Sequence, residues 1–181
     1  MRLISARNPL NPAFGGPTLR LLRKGAKYAL DFTMPPMTYV DALAWSDLEA
    51  ETDTVVMPVP QPGLVIGNPG APRVNGAGQS GMNLQIDGVT PGYELRKGQL
   101  VSVSVDDQWF LYKARAAATA TSGGILTIPL RTMLRRSPAD NAVVEIADPK
   151  IEGFVTLGNG AGKVSVDHFM HGISGTIEER E

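Results

Sequence analysis

The chain has 181 residues, with 17 Lys and Arg against 18 Asp and Glu, a formal net charge of −1 and no Cys. The absence of Cys excludes a disulfide-bonded scaffold, thiolate zinc sites, iron–sulfur clusters and a cysteine nucleophile. The balanced charge argues against a protein whose main task is to bind phosphate backbones, so we expect no sequence recognition of nucleic acids. The 20 Gly and 14 Pro favour many turns and few long helices.

The first 17 residues predict an extended arm, because residues 8–17 contain three Pro and two Gly. They also lack the apolar stretch of a secretory signal, and no segment is long and apolar enough for a membrane helix, so we expect no membrane insertion. Residues 18–181 are expected to form one β-rich domain. Its first strands are predicted at 18–23 and 28–34, with residues 24–27 as the turn.

Residues 38–50 predict the single helix of the fold. Thr38 and Asp41 have the spacing of a capping box, and good helix formers continue to residue 50. Tyr39, Leu43 and the stretch from Trp45 to Leu48 are expected to face the core.

The segment 60–81 differs from its surroundings, since ten of its 22 residues are Gly or Pro. It predicts a long loop with at most one short strand, at 64–66. Such loops are uncommon in compact domains unless they are functional or disordered, and two interpretations follow. The segment is either an arm that orders against a partner or a flexible surface loop. An arm of this kind could be deleted over residues 62–80 without unfolding the monomer.

Short strand patterns then recur at close spacing, with turns at Asp106-Asp107 and Gly123-Gly124. Their positions are 54–59, 82–87, 100–105, 109–114, 116–121, 125–130, 142–146, 154–157 and 173–178. Residues 116–121 and 125–130 are expected to pair as a hairpin. The pattern predicts a mainly β fold, a β-sandwich or small β-barrel with one α-helix at about 38–50 and extended loops or arms.

No motif in the chain predicts catalysis, a cofactor or a metal. Residues 158–163 lack the first Gly and the final Ser or Thr of a phosphate-binding loop, which favours a flexible turn. Ser80 lacks the strand and helix that flank a nucleophile elbow. His168 and His171 could share a helix face with Asp167, but no further His or Cys completes a metal site. We therefore do not expect an enzyme.

Arg131, Arg135 and Arg136 are interpreted as a solvated loop.

The two ends of the chain differ in charge. Residues 1–30 contain six basic residues and no acid, whereas the last four residues contain three Glu. The ends are either solvated or paired between neighbouring copies of the chain, which would require close contact because salt screens such charges. The candidate inter-subunit residues, from the ends and from the segment 60–81, are Arg2, Arg7, Glu178, Glu179, Pro69, Arg73, Asn75 and Gln79.

Four segments resemble the distal tail and minor tail proteins of long-tailed bacteriophages (siphoviruses). They are residues 32–37 leading into Asp41 and Trp45, the Gly-rich residues 74–84, residues 95–101, and residues 126–131 followed by 137–142. The third is similar to the family pattern L-K-x-G-D-x-(I/V), with Gln99 in place of Asp. The fourth is similar to P-x-L-R…S-P-A-D-G-A, with Asn141 in place of Gly, and Asn tolerates the same turn conformation.

The resemblance implies a structural virion protein, assembled in the host cytoplasm and located in the phage tail. In this family the subunits form a ring, typically a hexamer, which connects the tail tube to the hub or tip proteins. Two alternatives remain. One is a tail terminator or tail tube ring protein, which the short turn of the 99–114 hairpin disfavours. The other is a carbohydrate or host-surface binding module, which would need an exposed aromatic patch from Tyr93, Trp109 and Tyr112.

Overall fold

The protein is represented by a computed structural model that describes residues 1–5, 9–10, 15–16, 19–20, 24–46, 54–158, 163–166 and 169–180. It is mainly β, with several antiparallel sheets and one short helix, as in a β-sandwich, and this confirms the predicted fold class. The helix is α1 (Tyr39–Ser46). The strands are β1 (Arg2–Ile4), β2 (Pro9–Leu10), β3 (Leu19–Arg20), β4 (Lys27–Thr33), β5 (Met37–Thr38), β6 (Thr54–Pro58), β7 (Gly70–Val74), β8 (Asn83–Val89), β9 (Glu94–Leu95), β10 (Leu100–Val105), β11 (Gln108–Lys113), β12 (Ala118–Thr119), β13 (Leu126–Pro129), β14 (Val144–Glu145), β15 (Lys150–Leu157), β16 (Lys163–Val164), β17 (Phe169–His171) and β18 (Ser174–Glu179).

Two hydrophobic cores lie on either side of the β10–β11 hairpin. The larger core is formed by β7 to β14, and Val101, Val103, Phe110 and Tyr112 point into it from the hairpin. The smaller core lies against the five-stranded sheet of order β1-β4-β18-β15-β6. Leu100 and Leu111 of the hairpin belong to this second core. The hairpin is therefore buried on both faces, although its sequence alternates as a half-exposed strand would.

The hairpin turn at Asp106-Asp107 has φ values of 51° and 58°. Two consecutive residues in the left-handed region form the tight turn that matches the twist of antiparallel strands. The full ladder from Leu100 opposite Lys113 to Val105 opposite Gln108 confirms the predicted hairpin.

The prediction of a long loop over residues 60–81 is wrong for residues 70–74. Residues 70–74 form β7, which pairs with β8 at one edge of a three-stranded sheet, whereas the strand expected at 64–66 is not formed. Pro72 is tolerated because β7 is an edge strand with a register shift between Gly70 and Arg73. Gly70 and Gly88 have φ values of 84° and 66°, and a Cβ on either would collide with the opposite backbone. The glycines that argued against a strand are those that allow this bulged pairing.

The helix begins where the capping pattern predicts. The Thr38 hydroxyl accepts a hydrogen bond from the Asp41 N–H at 3.3 Å and donates one to the Asp41 carboxylate at 2.7 Å. The expectation that Tyr39 and Leu43 face the core is wrong, since both are exposed and Ala42 is buried instead. Trp45 is partly buried and packs near Phe32, with ring centres 5.6 Å apart. Residues 47–50 of the predicted helix lie outside the described ranges.

Two predicted pairings differ in the structure. β4 confirms the strand at 28–34, but β3 pairs with β2 and not with β4. Likewise β12 pairs with β9, and β13 pairs with β8, so residues 116–130 do not form a simple hairpin. Apart from residues 9–10 and 15–16, residues 6–17 of the predicted N-terminal arm lie outside the described ranges.

Candidate functional site

The four candidates from the segment 60–81 belong to the folded domain. Pro69 is buried, and its carbonyl accepts a hydrogen bond from Thr90. The Gln79 side chain donates to the carbonyls of Asn75 and Gln85 and accepts from the Gln85 N–H at 2.7 Å. Arg73 is exposed on β7. The interpretation as an arm is therefore wrong for Pro69, Asn75 and Gln79, because their hydrogen bonds close a loop onto β8.

The candidates at the chain ends have different environments. Arg2 is exposed on β1, and Arg7 lies outside the described ranges. Glu178 forms a partly exposed salt bridge with Lys27, at 2.6 Å. Glu179 is only 1% exposed, so both the solvated-end and the inter-subunit interpretations are wrong for this residue. Through the Lys27–Glu178 salt bridge, the basic N-terminal region and the acidic C-terminal region are in contact within one chain.

The carboxylate of Glu179 is the centre of a buried polar cluster. It accepts hydrogen bonds from the Tyr28 N–H at 2.5 Å and the Leu111 N–H at 2.7 Å. Its third partner is Arg135, whose guanidinium lies 2.5 Å away with a side chain 3% exposed. Burial raises the pKa of the Glu179 carboxyl, and the charge and hydrogen bond of Arg135 oppose that increase.

Arg135 also stacks on aromatic rings of the larger core. Its guanidinium carbon lies 4.9 Å from the Phe110 ring centre and 5.4 Å from that of Tyr112. The Tyr112 hydroxyl also accepts a hydrogen bond from the backbone N–H of Arg135, at 3.1 Å. The interpretation of this region as a solvated loop is therefore wrong for Arg135, although Arg131 is exposed and Arg136 reaches the exposed Asp106 at 3.5 Å. The Glu179 carboxylate thus joins β18 to β4, β11 and the loop after β13, so we interpret the cluster as structural.

The aromatic residues on which a glycan-binding module would depend do not form an exposed patch. Tyr93 and Tyr112 are buried in the larger core. Trp109 is half-buried, and the Lys150 ammonium lies 4.6 Å from its ring centre. A sugar stacking on these three rings would need them to be accessible together.

A prominent apolar surface lies on what we call the helix module, which consists of α1, β5, β16 and β17 with the adjoining residues 165–166 and 172–173. Among the described residues, its buried core consists of Ala42, Met170 and Ile173, with Met34, Met37 and Trp45 partly buried against them. The module extends the β4–β18 ladder, since the Met34 N–H donates to the Ile173 carbonyl at 2.8 Å. Its exposed large apolar residues are Tyr39, Val40, Leu43, Val164, Val166 and Phe169. Sequence reasoning missed this surface because the apolar positions of the helix were assigned to the core.

Described residues line two clefts of similar size. One, of about 480 Å³, lies beside the hairpin turn and is lined by polar residues including Ser104, Asp106, Asp107, Ser137 and Asn141. The other, of about 440 Å³, lies where residues 59–64 face residues 97–100 and Lys113. The second is mainly apolar, with Lys97 and Lys113 among its lining residues.

The described residues offer no group of three His, Asp or Glu side chains that could hold a metal ion. His171 lies in β17, so the helix face proposed for the two histidines is not formed there. His168, Asp167 and residues 159–162 lie outside the described ranges. Among the described residues, no helix is long and apolar enough to cross a membrane.

The sequence matches no protein-family model and no curated protein.

Proposed function

We propose that the protein is a structural subunit of a bacteriophage tail, a distal tail protein whose copies form a ring between the tail tube and the hub or tip complex. The observation that supports this most directly is the apolar surface of the helix module. Val40 and Val164 are 75% and 69% exposed there, and Val166 is almost fully exposed. Strongly exposed large apolar side chains on elements that adjoin one another are typical of an interaction site.

The size of the module's core supports the same proposal. Among the described residues, this core consists of three buried side chains with Met34, Met37 and Trp45 packed against them, which is small for a helix and three short strands whose ordering costs entropy. Contact with a second copy would bury the exposed side chains and complete this core. A ring needs a heterologous interface, in which this surface meets a different surface of the next copy.

The alternative roles fit the described residues less well. A tube protein would use a long stacking hairpin, whereas the β10–β11 hairpin turns within two residues. A glycan-binding module would need the exposed aromatic patch that Tyr93, Trp109 and Tyr112 do not provide. We also propose that the protein is not an enzyme and needs no cofactor.

Light scattering coupled to size exclusion tests the proposal, together with electron microscopy of the purified protein. We expect a ring of several 19.3 kDa subunits, a hexamer by the family resemblance. In phage particles, an antibody against the protein should label the end of the tail. A protein that stays monomeric at high concentration and is absent from particles would refute the proposal.

A double substitution tests the surface itself. Val40→Asp with Val164→Asp places charge on two exposed positions, and Asp in the first helical turn is compatible with the helix dipole. We expect the mass to fall to that of a monomer without loss of secondary structure. Thr127→Asp, at an exposed position of β13 outside the helix module, is the matched control and should leave assembly unchanged.

A further inference from the structure

The strand β6 is an unprotected edge of the five-stranded sheet. Among the described residues, β15 is its only strand neighbour. Natural proteins protect such edges with charged side chains, Pro, bulges or very short strands. β6 has five residues, Thr-Val-Val-Met-Pro, with no charge, no register shift and its Pro at the last position. An edge of this composition is suited to pairing with a further strand.

Two other edge strands of the same molecule carry the protection that β6 lacks. β1, at the opposite edge of this sheet, has three residues and begins with the exposed Arg2. β7 contains Pro72 and the exposed Arg73, and its register shifts between Gly70 and Arg73. The fold therefore blocks pairing at these edges and leaves it open at β6.

The hydrogen-bond pattern of the β6–β15 ladder determines which backbone groups face the free edge. The Val59 N–H donates to the Pro149 carbonyl at 2.7 Å, directly after the last paired residues of the ladder. Hydrogen-bonded and non-hydrogen-bonded pairs alternate between antiparallel strands, so Val55 and Met57 bond to β15. The backbone groups of the intervening residues of β6 therefore point away from β15.

The backbone groups at the free edge are complementary to themselves. They are the N–H groups of Thr54 and Val56 and the carbonyls of Thr54, Val56 and Pro58. When two copies of β6 run antiparallel about Val56, the two Val56 residues exchange both of their hydrogen bonds, and each Thr54 N–H faces the Pro58 carbonyl of the other copy. The N–H that Pro lacks is missing only at the two ends of this pairing, where Pro is tolerated.

The side chains of β6 match in the same arrangement. Val55 and Met57 are only partly buried against the smaller core, whereas Ile151 on β15 is 0% exposed, so this core is open at the edge. On the other face of the sheet, Val56 and Phe154 are 49% and 39% exposed. Antiparallel pairing places Val55 opposite Met57 and Val56 opposite Val56. Apolar side chains then meet on both faces, and no like charges are opposed.

We propose that β6 pairs antiparallel with β6 of a second copy, with Val56 at the two-fold axis, and that the smaller core continues across the two copies. A second copy is favoured over a strand of another protein because both the backbone groups and the side chains of β6 match themselves in a single register. The contact is isologous, whereas the ring contact of the helix module is heterologous, so the proposal goes beyond the ring and does not depend on it.

The expected affinity is low. A contact through one short strand is small beside the roughly 1,200–2,000 Å² of stable interfaces, so we expect a dissociation constant on the order of 0.1–1 mM. Dilute protein is therefore not paired through β6.

Single cysteines test the register, because the chain has no Cys of its own. In the proposed pairing the two Val56 Cα atoms are about 5.5 Å apart, within reach of a disulfide. The two Thr54 Cα atoms are roughly 14 Å apart, which is too far. At about 0.5 mM protein under mild oxidation, we expect Val56→Cys to form a disulfide-linked dimer at least about tenfold faster than Thr54→Cys, the matched control on the same face of the strand. Equal rates, or no dimer from Val56→Cys, would overturn the proposal.

Sedimentation equilibrium of the Val40→Asp, Val164→Asp variant measures the contact without the helix-module surface. We expect a monomer–dimer equilibrium that Val56→Lys weakens at least about tenfold, because the two new charges oppose each other at the axis. Val65→Lys, the same substitution at a position 79% exposed outside β6, should leave the equilibrium unchanged. Circular dichroism checks that each variant is folded. An equilibrium that Val56→Lys does not weaken would contradict the proposal.

The same experiments separate this contact from ring assembly. A ring that forms while Val56→Cys gives no cross-link refutes the β6 contact and leaves the proposed function in place. A cross-link at Val56→Cys in a protein that forms no ring supports the β6 contact and counts against the ring.

Discussion

Arg135 and Glu179 form a buried ion pair that joins the loop after β13 to the last strand, across 44 residues of sequence. The pair lies between the two cores, because Arg135 stacks on Phe110 of the larger core while Glu179 accepts the N–H of Tyr28 from the smaller one. Each member satisfies the charge of the other in a place that water does not reach. The pair therefore fixes how the five-stranded sheet is placed on the β10–β11 hairpin.

Removing one charge of this pair should be costly. Glu179→Gln leaves the Arg135 guanidinium buried without its counter-ion, and we expect a loss of about 3–5 kcal/mol in the free energy of unfolding. Urea denaturation measures it. The control is Glu178→Gln, the same substitution one residue earlier at a partly exposed salt bridge, with an expected loss below about 1 kcal/mol. Similar losses in both variants would show that the buried pair has no special role.

The buried tyrosines predict a loss of stability at alkaline pH. Burial raises the pKa of Tyr28, Tyr93 and Tyr112, with the charge of Glu179 as a further cause at Tyr28 and a lesser one at Tyr112. Above about pH 10 the unfolded chain releases these protons while the folded protein retains them, so the free energy of unfolding falls as pH rises. Below that pH their contribution is fully present.

Urea midpoints at about pH 8 and about pH 11, with tyrosinate absorbance as the second signal, measure this effect. Tyr93→Phe removes one of the three groups and should reduce the alkaline loss. A midpoint that does not change between the two pH values would contradict the prediction.

The position of β7 reverses the expectation for the segment 60–81. Deleting residues 62–80 removes this edge strand together with the buried Val74 and exposes the neighbours of Val74 in the larger core, so we now expect no cooperatively folded monomer. Circular dichroism with thermal melting is the measurement. Arg73→Ala, at an exposed position of the same strand, should change stability by less than about 0.5 kcal/mol. A deletion variant that melts like the intact protein would restore the interpretation as an arm.

Local patterns in the sequence were sufficient for some elements and not for others. The alternation of Leu100–Val105 and the short Asp106-Asp107 connection predicted a hairpin, because strand period and turn length are local properties. The Thr38 cap predicted the start of α1 for the same reason.

Two of the three missed features depend on distant contacts. The Gly and Pro content of residues 60–81 argued against a strand there. Only the pairing with β8, where Gly88 lies close to Gly70, shows that these glycines form a bulge within β7. Arg135 resembles any surface arginine until Glu179 is placed beside it. The helix module was missed for a third reason, because apolar residues in a helix pattern do not distinguish an intramolecular core from a surface that binds a partner.

The contact between β15 and β18 gives the last prediction. Gly153 lies opposite Glu179 in this ladder, and a Cβ at position 153 would collide with the carbonyl oxygen of Glu178. Gly153→Ala must therefore push the two central strands apart, beside the buried ion pair, at an expected cost of about 1–3 kcal/mol in a urea titration. Gly123→Ala is the control, because its Cβ has no contact closer than 3.9 Å and its backbone is not left-handed; we expect a change within about 1 kcal/mol. Equal stability of the two variants would mean that β15 and β18 separate at little cost, and that the Arg135–Glu179 pair does not depend on their close approach.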